Sequence, residues 1–250
     1  MGAAFTALIA FGAIFGAALL ALRVRAMLRE QHLSPETKDA VRLGIGLVAT
    51  MTALLIGLLI ASAKGSYDSQ RGSVIRMAAE VAFLDRVLAI YGPETAETRG
   101  LLRRATQSAI GQTWPDSRSA GDPDANSTMG QATYDSIQAL SPQNDTQKML
   151  KAQALTTSAE ISKTRWLLFA QHDSSIATPV LIIVIVWLTL IFFSFGMFAS
   201  SNRVVIATLL VVALAVSSAL FLVLELDQPF TGVIKISSQP MQNVLDQIGK

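Results

Sequence analysis

The sequence predicts an all-α membrane protein in which four transmembrane helices carry a helical bundle inserted between the second and the third. Composition is the first observation, since 51% of the 250 residues are hydrophobic and only 15% are charged, a more apolar balance than soluble globular proteins show. Distribution is the second, because the apolar residues gather in four blocks of about twenty residues, the length that crosses a bilayer core. These observations exclude a disordered chain and most soluble enzymes.

Each apolar block is long enough to form one transmembrane helix. The blocks are Ala3–Leu22, Leu43–Ala63, Pro179–Ala199 and Val204–Leu224. The positive charges of Arg23, Arg25 and Arg29 follow the first block, whereas a secretory signal carries its charge before a shorter apolar core. We therefore expect a retained helix. Only residues 200–203 separate the last two blocks, so their helices are expected to be antiparallel neighbours.

A polar region with helical periodicity follows the second block. Its apolar residues recur in steps of three and four, which is typical of a helix packed along one seam. The seam consists of Val74, Met77, Val81, Leu84, Leu88 and Tyr91. No strong helix breaker comes before Gly92 and Pro93, although Gly65 and Gly72 weaken the junction. The sequence therefore predicts one helix of about 45 to 50 residues, about 70 Å long, that continues out of the membrane.

Three further helical segments complete the predicted bundle. A helix after Pro93 carries an apolar stripe and ends near Gly111, and a polar loop spans residues 112–128. A short helix covers residues 133–140, and a final seam leads back towards the third block. The stripe is Leu101, Leu102, Ala105 and Ala109, and the final seam is Ala152, Leu155, Ala159, Ser162, Trp166 and Phe169. These segments predict a small antiparallel bundle.

The tail, residues 227–250, is expected to fold back after the fourth apolar block. Pro229 and Gly232 stop the preceding helix, residues 233–237 read as extended, and Ser238 can cap a short helix. One face of this helix is apolar, and the bundle is its expected partner, with the membrane surface as the alternative. The face consists of Met241, Val244, Leu245 and Ile248. The predicted domains are residues 1–63, 64–175, 176–226 and 227–250.

Basic residues near the ends of the apolar blocks bear on the orientation of the chain. They are equally numerous on the two sides of the membrane, but one group is clustered in the short loop between the first two blocks. This cluster consists of Arg23, Arg25, Arg29, Lys38 and Arg42. Because long translocated domains largely escape the positive-inside rule, the short basic loop should dominate. This argument predicts an extracytoplasmic bundle.

No constellation of catalytic residues is found in the sequence. There are no cysteines, and the two histidines, His32 and His172, are expected on opposite sides of the membrane. Residues 44–49 match a dinucleotide fingerprint, but they begin an apolar helix instead of following a strand. A net charge of +2 is not a clustered basic face, so no nucleic-acid partner is expected. We therefore predict no enzymatic activity, no cofactor and no metal site.

Small and hydroxyl residues on the second block are candidates for lining a pore. The four blocks contain no ionisable side chain, and Glu225 comes directly after the last of them. This disfavours a coupled transporter, whereas a passive pore needs no buried charge. The candidate face consists of Gly46, Thr50, Ala53 and Gly57. Close helix packing is the alternative use of such residues, as it is for Gly12 and Gly16 of the first block.

Two groups of polar residues are expected at one membrane interface. Tyr67, Asp68 and Arg71 follow the second block, and Glu225 and Asp227 follow the fourth. Together they could form a pore mouth or an ion site. Anchoring of the helix ends at the interface is the alternative, because aromatic and charged residues are common there.

Charged residues also interrupt the apolar stripes of the bundle. Asp85 and Arg86 lie within the first seam, and Arg103 and Arg104 follow two leucines of the next helix. Solvated helix faces explain such charges in most bundles. Pairing with the tail is the alternative.

Three stretches of the sequence resemble the bacterial bestrophin-like proteins. They are ASAKGSYD at residues 61–68, LDRVLAIYGPE at residues 84–94 and LDQPFTG at residues 226–232. The family name implies similarity to bestrophins, which are pentameric anion channels with a cytoplasmic helical domain. The resemblance thus implies a homo-oligomer in the bacterial inner membrane, and it places the bundle opposite to the side that the basic cluster predicts. A bestrophin calcium clasp and an aromatic pore neck are not evident here.

Two functions are compatible with the sequence. The first is a homo-oligomeric ion channel whose second transmembrane helix lines the pore. The second is a non-conducting membrane protein that binds a protein partner through its bundle or tail. Both place the chain in contact with the lipid bilayer.

Overall fold

The computed structural model describes residues 2–27, 35–114, 123–170, 178–199 and 202–249 of the chain. Its helices are α1 (Ala3–Met27), α2 (Pro35–Tyr91), α3 (Ala96–Thr113), α4 (Pro123–Ala139), α5 (Asp145–Ala170), α6 (Thr178–Phe198), α7 (Arg203–Leu226) and α8 (Gln239–Leu245). A 3₁₀ turn, Pro93–Thr95, joins α2 to α3. No strand occurs in the described ranges, so the prediction of an all-α chain is confirmed there. Arg29 and both histidines lie outside the described residues.

In the described ranges, four helices are long and apolar enough to cross a membrane. They are α1, α2, α6 and α7. The four predicted apolar blocks lie almost completely within these helices. Two of these helices extend beyond the predicted blocks: α1 continues to Met27, and α2 begins at Pro35. Asn202 caps α7, since its side chain accepts a hydrogen bond from the backbone N–H of Val204.

The chain divides into two compact units. The apolar unit comprises Met1–Tyr67, Ser174–Gln228 and Gly232–Ile234, and the bundle unit comprises Asp68–Asp173, Pro229–Thr231 and Lys235–Lys250. The continuous helix α2 contributes residues to both units.

In the apolar unit, α1 packs closely against α6. Gly196 of α6 makes the closest approach, because a Cβ at this position would clash with the backbone carbonyl oxygen of Ala18. Ile14 and Phe192 lie fully buried nearby in the same core. The sequence pointed instead to Gly12 and Gly16 of α1, and a Cβ at either position would meet nothing within 4 Å in the described chain. Those two glycines therefore do not mediate packing within the described part of the apolar unit.

The apolar half of α2 is the least covered of the four candidate spans. Only 11% of its most apolar window is buried, compared with 33% for α1, 33% for α6 and 22% for α7. Its inner side is marked by Thr52, Leu59 and Ala63, which are buried. The Thr52 hydroxyl donates to the carbonyl oxygen of Val48 at 2.7 Å, so this buried polar group is satisfied by its own helix.

In the bundle unit, the predicted seam of α2 is confirmed. Each of the six seam residues, from Val74 to Tyr91, is at most 5% exposed, and Leu88 is completely buried. The helix is also continuous, with 57 residues, so that neither Gly65 nor Gly72 ends it. Large aliphatic side chains at steps of three and four fix which face of α2 is buried, and this burial outweighs the low helix propensity of two glycines.

The predicted buried face of α5 is wrong at three positions. Ala152, Ala159 and Trp166 are exposed, and Trp166 is 68% accessible. The buried residues are Ala154, Thr157, Ser158, Thr164 and Leu168. Leu155 and Ser162 of the predicted seam are half-buried, and Leu155 packs against the bundle core. Small hydroxyl residues supply much of the buried face, so a pattern search that treats Ser and Thr as polar does not find it. The side chain of Phe169, the last residue of the predicted seam, lies outside the described part.

The polar loop predicted over residues 112–128 is helical at both ends, and residues 115–122 of it lie outside the described part. Helix α3 continues to Thr113, and α4 already begins at Pro123, ten residues before the short helix that the sequence predicts. Pro123 is tolerated as the first residue of α4 because a proline at this position loses no intrahelical hydrogen bond. The part of the predicted loop that begins at Pro123 is therefore the start of a helix.

The prediction that the tail docks on the bundle is confirmed. Met241 is 1% exposed and Ile248 is 2% exposed, and Ile248 belongs to the core formed with α2, α3, α4 and α5. The indole Nε1 of Trp114 donates to the carbonyl oxygen of Ile236 at 2.7 Å. Ser238 precedes α8 but makes no capping hydrogen bond, because its hydroxyl oxygen accepts from the side-chain amide of Gln242. Residues 233–237 contain no strand.

Candidate functional site

The four candidate pore residues share one exposed stripe of α2. Gly46, Thr50, Ala53 and Gly57 are all exposed in the single chain. A Cβ at Gly46 or Gly57 would meet nothing within 4 Å in the described chain. The stripe therefore lies on the uncovered side of α2, away from Thr52 and Leu59, and close packing within the described chain does not occupy it.

The stripe has one polar side chain. Its one hydroxyl, on Thr50, donates to the carbonyl oxygen of Leu47 at 2.8 Å and lies 3.2 Å from that of Gly46. The oxygen lone pairs of Thr50 remain available on an otherwise apolar and small surface. Such a surface can line a narrow passage or allow a neighbouring helix to approach closely, and both uses need small side chains.

The five polar residues predicted at the membrane interface are divided between the two units. Tyr67, Glu225 and Asp227 belong to the apolar unit, whereas Asp68 and Arg71 belong to the bundle unit. The ammonium group of Lys64 lies 5.6 Å from the ring centroid of Tyr67, within the range of a cation–π interaction. A shared ion site formed by all five residues remains a prediction.

Glu225 organises the loop that follows α7. The residue is only 5% exposed, and its Oε2 accepts hydrogen bonds from the backbone N–H groups of Val233 at 2.5 Å and Ile234 at 3.3 Å. A Cβ at Gly232 would clash with the same carboxylate oxygen, so a larger residue here would displace the Glu225 side chain. The carboxylate thus closes the loop that contains LDQPFTG, one of the stretches that define the family resemblance.

A second buried carboxylate, Asp85, holds the end of the tail. Its two oxygens accept from Nε and Nη2 of Arg99 at 2.8 and 2.9 Å, and Oδ1 also lies 3.3 Å from the backbone N of Gly249. Nη1 of Arg103 donates to the carbonyl oxygen of Ile248 at 2.7 Å. The hydrogen bond to Asp85 raises the pKa of the Arg99 guanidinium, although burial acts in the opposite direction.

The expectation that the bundle charges are solvated is therefore wrong for Asp85 and Arg103. It is confirmed for Arg86 and Arg104, which are exposed. The sequence offered a signal for Asp85, because this residue is next to Leu84 in a seam that is otherwise buried. A charge at such a position requires a partner. The ionic partner, Arg99, is 14 positions away on the next helix, and the further contact with Gly249 is 164 positions away, so neither could be identified from spacing.

No metal centre is found in the described ranges, where no three histidine, cysteine or acidic residues stand close enough to hold an ion. The buried carboxylates of Asp85 and Glu225 instead accept hydrogen bonds from Arg99 or from the backbone.

Comparison with known proteins identifies the fold and the family. The bestrophin-like domain family matches residues 11–241, which is nearly the whole chain. The chain belongs to the bestrophin-like family. Crystal structures of a bacterial bestrophin homologue from Klebsiella pneumoniae, each with a single substitution, have the same fold. One has a TM-score of 0.72 at 14% identity over 98% of this chain and 100% of that one. Another has 0.71 at 14% identity over 97% and 99%.

A further crystal structure, described only as a membrane protein, matches this bestrophin-like chain with a TM-score of 0.70 at 14% identity, covering 96% of this chain and 97% of that one. The comparison with curated proteins finds no match. At 14% identity the structural matches establish the fold. Together with its apolar helices, family membership makes this chain a membrane protein.

Proposed function

We propose that this bestrophin-like protein is a homo-oligomeric ion channel of the bacterial inner membrane, with a pore lined by the second transmembrane helix. Gly46, Thr50, Ala53 and Gly57 are the proposed lining residues. Family membership supports a channel, because the bestrophins for which the family is named are channels. The exposed stripe of α2 supports the choice of helix.

The uncovered apolar half of α2 is the observation that carries this proposal. A large apolar surface is stable only against lipid or protein, and 11% burial leaves most of this window to one or the other. If copies of the chain surround an axis, one side of α2 can face the neighbouring copy while the small-residue stripe faces the axis. Ions would then pass small and hydroxyl groups without a buried charge, which matches pores that gate through apolar constrictions.

The proposed topology has four transmembrane helices, α1, the first half of α2, α6 and α7, with the bundle between the second and the third. Residues 1–63 and 176–226 form the membrane part, residues 64–175 the bundle, and residues 227–250 the tail. The basic loop between α1 and α2 argues for an extracytoplasmic bundle, in contrast to the cytoplasmic helical domain of bestrophins.

A non-conducting interaction protein is the second candidate. It is supported by exposed apolar side chains on the outer face of α5, where Met149 is 74% and Trp166 is 68% accessible. A protein partner could bind there or at the tail. Neither candidate requires enzymatic activity.

Reconstitution into lipid vesicles tests the channel proposal. Purified full-length protein should release an ion gradient from the vesicles, and the detergent-solubilised protein should have the mass of a homo-oligomer. Oligomers that fail to conduct any inorganic ion would favour the interaction protein. A monomer would contradict both the pore and its placement between subunits.

Site-directed labelling tests the orientation. Met149→Cys introduces a thiol at an exposed position of a chain that has no cysteine. The basic-loop argument predicts that an impermeant thiol reagent labels this variant in intact spheroplasts. Labelling only after lysis would reverse the orientation and give the arrangement of the bestrophins.

A further inference from the structure

A cavity of about 60 Å³ lies inside the bundle unit. Residues of α2, α3, α4 and α5 form its walls, and Met241 of α8 closes one side. One water needs about 10–15 Å³ in this measure, so the space accommodates a molecule of about four to six heavy atoms. The apolar part of the wall includes Met77, Val81, Leu84, Leu102, Ala105 and Met241.

Hydroxyl groups from three helices line the remaining wall. The hydroxyls of Thr106, Thr133 and Ser162 each donate to a backbone carbonyl of their own helix, at 2.8 to 3.0 Å. Ser158 adds a fourth hydroxyl. A hydroxyl hydrogen can rotate from such a backbone acceptor to a ligand, so this wall can adapt to a polar group.

Arg165 is the only charged residue among the described residues that line the cavity. Its guanidinium lies against α4, where a Cβ at Gly130 would be 3.2 Å from Nη1. The absence of a side chain at Gly130 therefore leaves room for the guanidinium. Burial lowers the pKa of Arg165, because the guanidinium is partly removed from water. A guanidinium has five donor hydrogens and can bind an anion in addition to other partners.

We propose that this cavity binds a small monocarboxylate, in the size range from acetate to butyrate, with the carboxylate on Arg165 and the alkyl chain against the apolar wall. A single guanidinium suits a monoanion, and its planar fork matches a carboxylate. The described lining has no Asp or Glu to hold a cation. The ligand site lies within the bundle unit and is separate from the proposed pore, so it is tested by binding and not by ion flux.

Ligand-observed NMR with sodium propionate tests the site in the purified, detergent-solubilised full-length protein. Wild type should show saturable binding, and 1-propanol, which has the same chain length without the charge, should not compete. Arg165→Gln should weaken propionate binding at least tenfold. The matched control Arg86→Gln removes an exposed arginine of the bundle and should bind propionate as wild type does.

A second variant separates loss of the site from loss of the fold. Ala105→Leu fills the apolar wall and leaves Arg165 in place, so it should exclude butyrate while acetate still binds. Unchanged propionate binding in Arg165→Gln would overturn the proposal. Equal competition by 1-propanol, or no saturable binding in wild type through tens of millimolar, would also overturn it. If Arg165→Gln does not fold, equal binding of acetate and butyrate by Ala105→Leu would contradict the assignment.

Discussion

The two halves of α2 have the same helical backbone and opposite surroundings. In the bundle half, residues such as Leu88 are completely buried by other helices of the same chain. In the apolar half, Leu54 is 75% exposed and only three residues between Asp39 and Ala63 are buried. The bundle half therefore obtains its stability from intramolecular packing, whereas the apolar half has most of its surface available to lipid or to further copies of the chain.

This difference predicts that substitutions in the two halves of α2 have different effects. Substitutions in the bundle half should act on folding of the single chain. Substitutions in the apolar half should act on assembly or conduction, because the exposed side chains there have few intramolecular contacts to lose.

The largest expected effect is that of a leucine truncation in the bundle half. Leu88→Ala should destabilise the protein by about 2–5 kcal/mol, because it removes buried methyl groups and leaves a cavity. Leu54→Ala makes the same chemical change at an exposed position of the apolar half and should leave unfolding of the bundle nearly unchanged. Thermal unfolding in detergent measures both. Equal losses of stability would show that the two halves are buried alike.

A smaller effect is expected for the carboxylate that connects α2 to the tail. Asp85→Ala leaves the Arg99 guanidinium and the Gly249 N–H without their acceptor, at a cost of about 1–3 kcal/mol. It should also make the tail more sensitive to carboxypeptidase. Arg86→Ala removes the neighbouring exposed charge and serves as the control. A tail that stays equally protected in Asp85→Ala would show that its apolar face alone is sufficient to hold it.

The smallest effect concerns Glu80 of the bundle half. Burial raises the pKa of Glu80, and the nearby Glu160 raises it further, while Arg76 and a hydrogen bond from Thr164 act in the opposite direction. When the folded-state pKa of a carboxyl is raised, the protein loses stability as the pH rises from the ordinary value of 4.5 through the folded-state pKa. Glu80→Gln should therefore melt slightly higher than wild type at neutral pH. The difference should vanish at acidic pH, where the wild-type carboxyl is protonated, and a difference that persists there would contradict this assignment.

The parts of the fold that could be predicted are those that large apolar side chains specify. Leu84 and Leu88 at helical spacing identify the buried face of α2, and uninterrupted apolar blocks identify the candidate spans. The buried face of α5 could not be predicted, because Thr157 and Ser158 are small and polar. Their burial depends on the shape of the neighbouring helices, which a periodic pattern does not contain.

The candidate site, too, could be predicted only in part. The stripe from Gly46 to Gly57 follows from helical spacing alone, and its exposure in the single chain is a structural observation. The environment of Asp85 depends on a tail that returns after 164 positions. That of Glu225 depends on how the loop eight residues further on folds back, which spacing alone does not predict. The cavity next to Arg165 arises from residues on five helices, no two of which form a recognisable motif.

Ion flux through vesicles that contain Ala53→Trp tests the central claim most directly. The indole would fill the small-residue stripe, so the flux should fall to that of empty vesicles while the oligomer keeps its wild-type mass. Leu58→Trp introduces the same side chain at an exposed position five residues further along, about 140° around the helix axis from Ala53. It is the matched control and should conduct. Wild-type flux from Ala53→Trp oligomers would contradict a pore lined by this stripe, and so would dissociation of the oligomer by Ala53→Trp, which is the result expected of a packing interface.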